Sequence, residues 1–261
     1  MDWQHESRMF DQMAEYYDRF RPNYPEGIIQ ALISSAGLSQ GSKILEAGAG
    51  SGKATGQLAG RGYDITCVEP GPALCRVGQA RFSGEPISFV AERFEDYKLT
   101  PEIFDLVFSA QAWHWVPQPE GVQLSARALK SGGYLGILYN YTLLPEGEGG
   151  RELERICARY GMGQLSSIGS CEKRILDLTE QIAGSGLFAA PHVFREWWCK
   201  AYNAEEYYGL ALTGNVFVQH DDAKKETARL EIADFAKNSN GIIKQSYLSV
   251  LLLAKLKEPV R

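Results

Sequence analysis

The stretch EAGAGSGKAT, Glu46 to Thr55, follows the apolar run SKIL and decides how the first half of the chain is read. A phosphate loop needs G-x-x-x-x-G-K-[ST]. Gly52 and Lys53 satisfy it, but Ala47 stands where the first glycine belongs and Ala54 where the magnesium-binding hydroxyl belongs. A dinucleotide loop needs G-x-G-x-x-G, and after Gly48 and Gly50 the third place holds Lys53, which cannot give the close helix–strand packing of a glycine. The pattern that remains is E-x-G-x-G-x-G, an acidic residue at a strand end followed by Gly48, Gly50 and Gly52 in alternation. Alternating glycines let the backbone turn sharply and let a ligand lie on the main chain. The Glu46 carboxylate repels a triphosphate and suits a ligand with a cationic amino group.

Outward from this loop, short apolar blocks alternate with helical patterns. SKILEAG (42–48), YDITCVE (63–69), ISFVAE (87–92), FDLVFSA (104–110) and GGYLGILYN (132–140) read as buried strands. GKATGQLAGRG, GPALCRVGQARF and PEGVQLSARALKSG leave room for helices between them, the last ending on Lys130 at a Ser-Gly-Gly stop. The alternation predicts βαβ units and an α/β, doubly wound, mostly parallel sheet. Beyond Tyr141 the rhythm changes: 145–190 is helical and glycine-rich, VFREWWCKAY (193–202) reads as a strand, 221–238 as a charged helix, and IIKQSYLSVLLLAK (242–255) as a final strand. We read 1–261 as a single domain, with 1–40 an N-terminal helical lid, 41–141 the ligand-binding half, 142–190 a helical insert over the site, and 191–261 the strands and helices that complete the sheet.

Glu69 closes the second strand roughly twenty residues after the loop, where an acidic side chain can accept both hydroxyls of a ribose. Together with Glu46, this points to a nucleoside that carries an amino acid. The composition agrees with a small-molecule ligand. With 261 residues, 44% hydrophobic, 23% charged and a formal net charge of −5, the chain has the content of an ordinary globular protein and lacks the basic excess of a phosphate-backbone binder. The five cysteines (Cys67, Cys75, Cys157, Cys171, Cys199) form no CxxC pair and read as reduced, buried thiols, with no metal site expected. No stretch has the length of a signal-peptide core or a membrane span, so a cytoplasmic location is expected, with no membrane and no nucleic-acid partner.

The motifs ILEAGAGSGKAT, CVEPG, ARFEDY and FDLVFSAQAWHWV, in this order and at this spacing over residues 42–140, resemble those of the class I S-adenosylmethionine-dependent methyltransferases. The resemblance implies a Rossmann-like seven-stranded sheet with an antiparallel last strand. It also implies S-adenosylmethionine as cofactor and S-adenosylhomocysteine as product. Gly48, Ala49, Gly50 and Gly52 would line the methionine portion, Glu69 would hold the ribose, and Pro70 would pack near the adenine. Phe94 with Glu95 would contact the adenine, with Glu92 a competitor for that place; the backbone at Ser109 and the side chain of Gln111 would sit beside the methionine head. The segment 10–28 and the AWHW sequence are similar to the small-molecule branch that includes trans-aconitate and malonyl-carrier-protein methyltransferases. There the N-terminal segment closes over the cofactor, which makes Tyr16, Tyr17, Arg21 and Tyr24 lid candidates, with packing of a helix onto the sheet as the alternative.

Methyl transfer from a sulfonium is an in-line displacement in which the enzyme positions the nucleophile and excludes water. A carboxylate acceptor needs no base, whereas a hydroxyl, phenol or amine benefits from one. His114, with an ordinary pKa of about 6.5, is the candidate base; a histidine ordered by a backbone hydrogen bond, while one of its neighbours Trp113 and Trp115, both substrate or lid candidates, shapes the cofactor pocket, is the alternative. Lys53 is expected in solvent, since its charge opposes the dipole at a first helical turn. Arg21, Arg174 and Arg195 are candidates to grip an acidic acceptor, and Thr213 and Asn215 are further pocket candidates. Two other readings stay open at this point, a cofactor-binding protein without turnover and a P-loop nucleotide-binding protein.

Overall fold

In a computed structural model of the chain, described for residues 16, 19–145, 147–163, 165–214 and 216–258, seven strands form one sheet in the order β3-β2-β1-β4-β5-β7-β6. They are β1 (Lys43–Ala47), β2 (Asp64–Val68), β3 (Ile87–Val90), β4 (Phe104–Ala110), β5 (Leu129–Thr142), β6 (His192–Tyr202) and β7 (Ile243–Lys255). β1 to β5 pair in parallel, and β7 inserts antiparallel between β5 and β6. This is the α/β, Rossmann-like arrangement read from the sequence, antiparallel strand included. The chain reverses its direction of winding between β1 and β4. At such a switch point the crevice outside the strand carboxyl ends is open to a ligand.

Side-chain alternation along the strands builds a core on each face. Leu45, Val107, Ile137 and Leu252 face one side, where helices Glu120–Ala128 (α4) and Ile168–Gly184 (α6) cover them. Ile44, Ile65, Leu106 and Leu251 face the other, against helices Glu26–Ser35 (α1), Thr55–Leu58 (α2) and Pro72–Arg81 (α3). A third cluster, including Ile156, Tyr207, Phe217, Ile232 and Tyr247, ties helices Gly147–Tyr160 (α5), Ala204–Ala211 (α7) and Asp222–Asn238 (α8) to the far end of β6 and β7. Each of three late helices starts at a side-chain cap: Ser167 for α6, Asn203 in a capping box with Glu206 for α7, and Asp221 for α8.

One expected boundary is corrected. The helix read as ending on Lys130 stops at Ala128, and β5 begins at Leu129. The Ser-Gly-Gly that resembles a helix stop is an irregularity inside the strand: Gly132 has φ +79°, and the register against β4 shifts between Phe104 and Leu106. Lys130 instead holds Asp105 on the neighbouring strand, its Nζ 2.9 Å from Oδ1. Among the described residues no helix is long and apolar enough to cross a membrane, and no group of His, Cys, Asp and Glu has the arrangement of a metal site.

Candidate active site

β1 delivers Glu46 to the crevice and the chain then turns away through three left-handed glycines, Gly48, Gly50 and Gly52 at φ +70°, +59° and +82°. Two of them make room for protein. A Cβ on Gly48 would lie 2.3 Å from that of Ala112, and one on Gly52 would lie 2.5 Å from the Phe82 ring. Gly50 differs, because a Cβ there meets no protein atom within 4 Å and points into open space. The backbone at Gly50 is held from behind: its N–H donates to Glu69 Oε2 at 2.9 Å, while Gly71 N–H donates to Oε1 at 2.9 Å. Two main-chain donors thus fix the Glu69 carboxylate at the end of β2, between the loop and the start of α3.

These residues line a cavity of about 190 Å3. Glu46, Gly48, Ala49, Gly50 and Lys53 form its floor. Glu69, Pro70, Phe94 and Glu95 form the side toward β2 and β3, with Arg93 beside Glu95 as an ion pair. Ala112, Trp115 and Val116 form the side after β4. The N-terminal segment crosses the opening with Arg21, Pro22 and Tyr24. It is anchored at three places: Arg21 Nε donates to Thr213 Oγ1 at 2.8 Å, Asn140 Nδ2 donates to Asn23 O at 3.4 Å, and Gln57 both accepts from Tyr24 N–H at 2.9 Å and donates to Tyr24 O at 2.8 Å.

Burial decides the state of Glu46. Its carboxyl is 1% exposed, Thr55 Oγ1 donates to it, and no cation pairs with it among the described residues. Desolvation dominates and pushes its pKa up to about 8; the Thr55 hydrogen bond opposes the rise and the nearby Glu69 charge adds to it. At neutral pH, Glu46 is therefore a protonated acid, not the standing negative charge that the sequence suggests.

A second cavity of about 880 Å3 adjoins the first and shares Arg21, Gln111, Trp115, Asn140, Thr142 and Leu210 with it. Gln111 stands at the junction with φ +60°, a strained conformation for a residue with a side chain, and its Nε2 donates to Asn140 O at 2.8 Å. His114 lies in the second cavity, in a short 3-10 turn (Trp113–Trp115), with Nδ1 3.4 Å from the Tyr139 hydroxyl. Crowding by surrounding protein, then the Arg174 charge, lowers its pKa from the ordinary histidine value.

Of the residues picked from sequence, Glu46, Gly48, Ala49, Gly50, Glu69, Pro70, Phe94, Glu95, Gln111, Arg21, Tyr24 and Trp115 meet at the first cavity, and His114 lies beyond it. Others are placed elsewhere. Gly52 sits behind the loop against Phe82 and Phe89. Ser109 is fully buried, and its hydroxyl donates to Ala47 O at 2.8 Å, bracing β4 to β1. Trp113 is 1% exposed and packs on Phe94 in the core instead of shaping a pocket. Glu92 faces solvent, so Glu95 is the acid turned to the cavity. Lys53, expected in solvent, lines the cavity floor. Arg195 is taken by Glu172 at 2.8 Å on the surface, whereas Arg174 lines the second cavity. Tyr16 is 48% exposed; Tyr17 and Asn215 lie outside the described residues. Tyr139 and Tyr141 escaped sequence reading, although their alternation in LYNYT marks one face of a strand end.

The sheet order, the glycine loop at its switch point and the acidic end of β2 define the class I methyltransferase fold, and comparisons with known proteins agree. Residues 45–137 match the family model described as a methyltransferase domain. An uncharacterized methyltransferase of Mycobacterium tuberculosis is 34% identical over 134 residues, 51% of this chain and 53% of that protein. A ubiquinone biosynthesis O-methyltransferase of Photorhabdus laumondii is 29% identical over 133 residues, 49% of this chain and 55% of that one. The chain thus spans about half the length of the curated relatives it matches. Among solved structures, phosphoethanolamine N-methyltransferase 2 of Haemonchus contortus in complex with S-adenosyl-L-methionine aligns with a TM-score of 0.56 at 16% identity, covering 95% of this chain and 57% of that one. The YcgJ protein of Bacillus subtilis aligns with a TM-score of 0.56 at 14% identity, covering 90% of this chain and 100% of that one.

Proposed function

We propose that this protein is an S-adenosylmethionine-dependent methyltransferase that acts on the oxygen, hydroxyl or carboxylate, of a small molecule. The observation that carries the reading is the first cavity: a Cβ-free cradle at Gly50 flanked on one side by a buried Glu46 carboxyl, with no cation partner among the described residues, and on the other by a backbone-locked Glu69 carboxylate. Glu69 suits two ribose hydroxyls, since a carboxylate presents two acceptor oxygens. Glu46 suits a cationic amino group, which would restore its ionised form. Pro70, Phe94 and Val116 offer the apolar contact that a base needs. When bound, S-adenosylmethionine supplies an activated methyl group; the chain's own contribution is to bind, orient and exclude water. Gln111 and Trp115, shared by both cavities, are where donor and acceptor would meet. The neutral His114 is available to take a proton from a hydroxyl acceptor. Five free thiols, four of them buried, support the cytoplasmic location proposed with this activity.

Isothermal titration with S-adenosylhomocysteine tests the donor site, and transfer of labelled methyl from S-adenosylmethionine to a panel of phenols, alcohols, carboxylates and amines tests the reaction. Binding together with labelled oxygen ester or ether supports the proposal. Binding of magnesium-ATP without binding of S-adenosylhomocysteine would overturn it.

A further inference from the structure

The second cavity has walls that the methyltransferase-domain match does not reach: Tyr139 and Tyr141 at the end of β5, and α6 with Arg174 and Asp177. We infer that it receives an aromatic hydroxy acid, a planar ring bearing an ionisable hydroxyl and an anionic substituent. The inference rests on the donor site proposed above.

Shape and surface come first. One wall is a run of rings: His114 and Trp115 have centroids 4.8 Å apart, His114 and Tyr139 6.1 Å, and Tyr139 and Tyr141 5.5 Å with planes only 21° apart. Such a face matches a planar, polarisable ligand. The volume of about 880 Å3 lies in the upper part of the range for drug-sized ligands and leaves room for a ring with its substituents.

The polar groups then sort by task. Burial holds both tyrosine hydroxyls protonated, Tyr141 with its pKa pushed up to about 12 and Tyr139 higher, so neither serves as a base near neutral pH. Among the rings of this wall His114 is the one that can accept a proton near neutral pH, and it lies next to Trp115, where the two cavities join. In the tautomer whose Nδ1–H donates to the Tyr139 oxygen, Nε2 is the proton acceptor. A phenol is mostly protonated at neutral pH and needs such a base, whereas a carboxylate does not. In the transfer, the phenol oxygen forms its bond to the methyl carbon as the sulfonium–carbon bond breaks, the electron pair stays on sulfur, and the phenol proton passes to His114.

The anionic substituent has its own partner. The Arg174 charge reaches His114, Tyr139 and Tyr141, and Arg174 forms no ion pair among the described residues. Of the acids around it, Glu172 is engaged by Arg195 and Asp177 lies on the same cavity wall. The other cation of the wall, Arg21, is anchored on Thr213.

The experiment begins with calorimetry of S-adenosylhomocysteine, which judges the donor site alone. The S-adenosylhomocysteine-saturated protein is then titrated with hydroxybenzoates and hydroxycinnamates, with the matching phenols lacking the carboxylate, with benzoate, and with an aliphatic diacid. Labelled methyl transfer is measured on the same set. Aromatic hydroxy acids are expected to bind at least tenfold more tightly than the neutral phenols or the diacid, and to be methylated on the hydroxyl. Arg174→Gln is expected to raise KM about tenfold for the aromatic hydroxy acids, so that their preference over the neutral phenols falls by the same factor. His114→Gln is expected to lower kcat roughly 100-fold while ligand dissociation constants stay within twofold. Both variants should bind S-adenosylhomocysteine as the parent does. A protein that binds S-adenosylhomocysteine but ignores aromatic hydroxy acids, or prefers the diacid, sinks the inference and leaves the donor site standing. Failure to bind S-adenosylhomocysteine sinks both.

Discussion

Glu46 and Gly50 carry the most direct consequences at the level of single residues. Because the Glu46 pKa rises on folding from 4.5 to about 8, the folded state holds a proton that the unfolded chain gives up. The sign follows from linkage: the native state binds more protons between those values, so its stability falls as pH climbs from about 4.5 to about 8 and levels off above. Glu46→Gln should therefore flatten the pH dependence of the melting temperature over that window and raise it for the ligand-free protein at pH 8. A slope unchanged by the substitution would contradict the buried, protonated acid. Binding of a cationic amino group would ionise Glu46, so titrations of S-adenosylhomocysteine near pH 7 in buffers of different ionisation enthalpy should report proton release. For Gly50→Val the cost is mostly in the ligand. The new side chain projects into the cavity, and affinity for S-adenosylhomocysteine should fall at least 100-fold by calorimetry. The positive φ, +59°, should cost about 1–2 kcal/mol of stability by denaturant titration. Position 46 was legible in the sequence as acidic and central, but its protonation state was not, because burial and the lack of a cation belong to the folded surroundings.

Among the elements, the segment around residues 21–24 depends on contacts made far along the chain. Gln57 satisfies both backbone groups of Tyr24, at 2.9 and 2.8 Å, in the way one strand serves another. At roughly 1 kcal/mol per hydrogen bond, Gln57→Ala should release the segment and weaken S-adenosylhomocysteine binding about tenfold, with faster dissociation in stopped-flow fluorescence. Equal dissociation rates in parent and variant would mean that this segment does not retain the ligand. The sequence pointed to Arg21 and Tyr24 through their residue types, yet the partners Gln57, Thr213 and Asn140 carry no local signal, since each meets the segment only through the packing of distant elements. The Ser-Gly-Gly before β5 shows the same limit from the other side. Glycine marks a backbone turn, and only the pairing of β5 with β4 makes that turn a strand irregularity.

For the whole molecule, the ligand cavity joins parts that are far apart in sequence: β1, β2, β4, the N-terminal segment and, through Leu210 and Tyr247, α7 and β7. A ligand that spans them stabilises the folded state as a unit. At about 100-fold excess over its dissociation constant, S-adenosylhomocysteine should add about 2.7 kcal/mol. For a domain of this size that corresponds to a rise of roughly 5–10 °C in melting temperature by scanning calorimetry. Magnesium-ATP should give no rise; an equal rise would revive the phosphate-loop reading. The sequence by itself determined the strands, their alternation with helices through Tyr141 and the glycine loop with its two acids, while the antiparallel last strand was implied by the family resemblance. The strands and the loop follow from hydrophobic periodicity and from backbone conformations that few residues other than glycine adopt, both of which are local. Only the tertiary structure decided that Gly52, Ser109 and Trp113 brace the site from behind, that Glu46 keeps a proton, and that His114, Tyr139, Tyr141 and Arg174 surround one chamber. Those outcomes depend on burial and on the meeting of elements distant in the chain, and neither is written in the spacing of neighbouring residues.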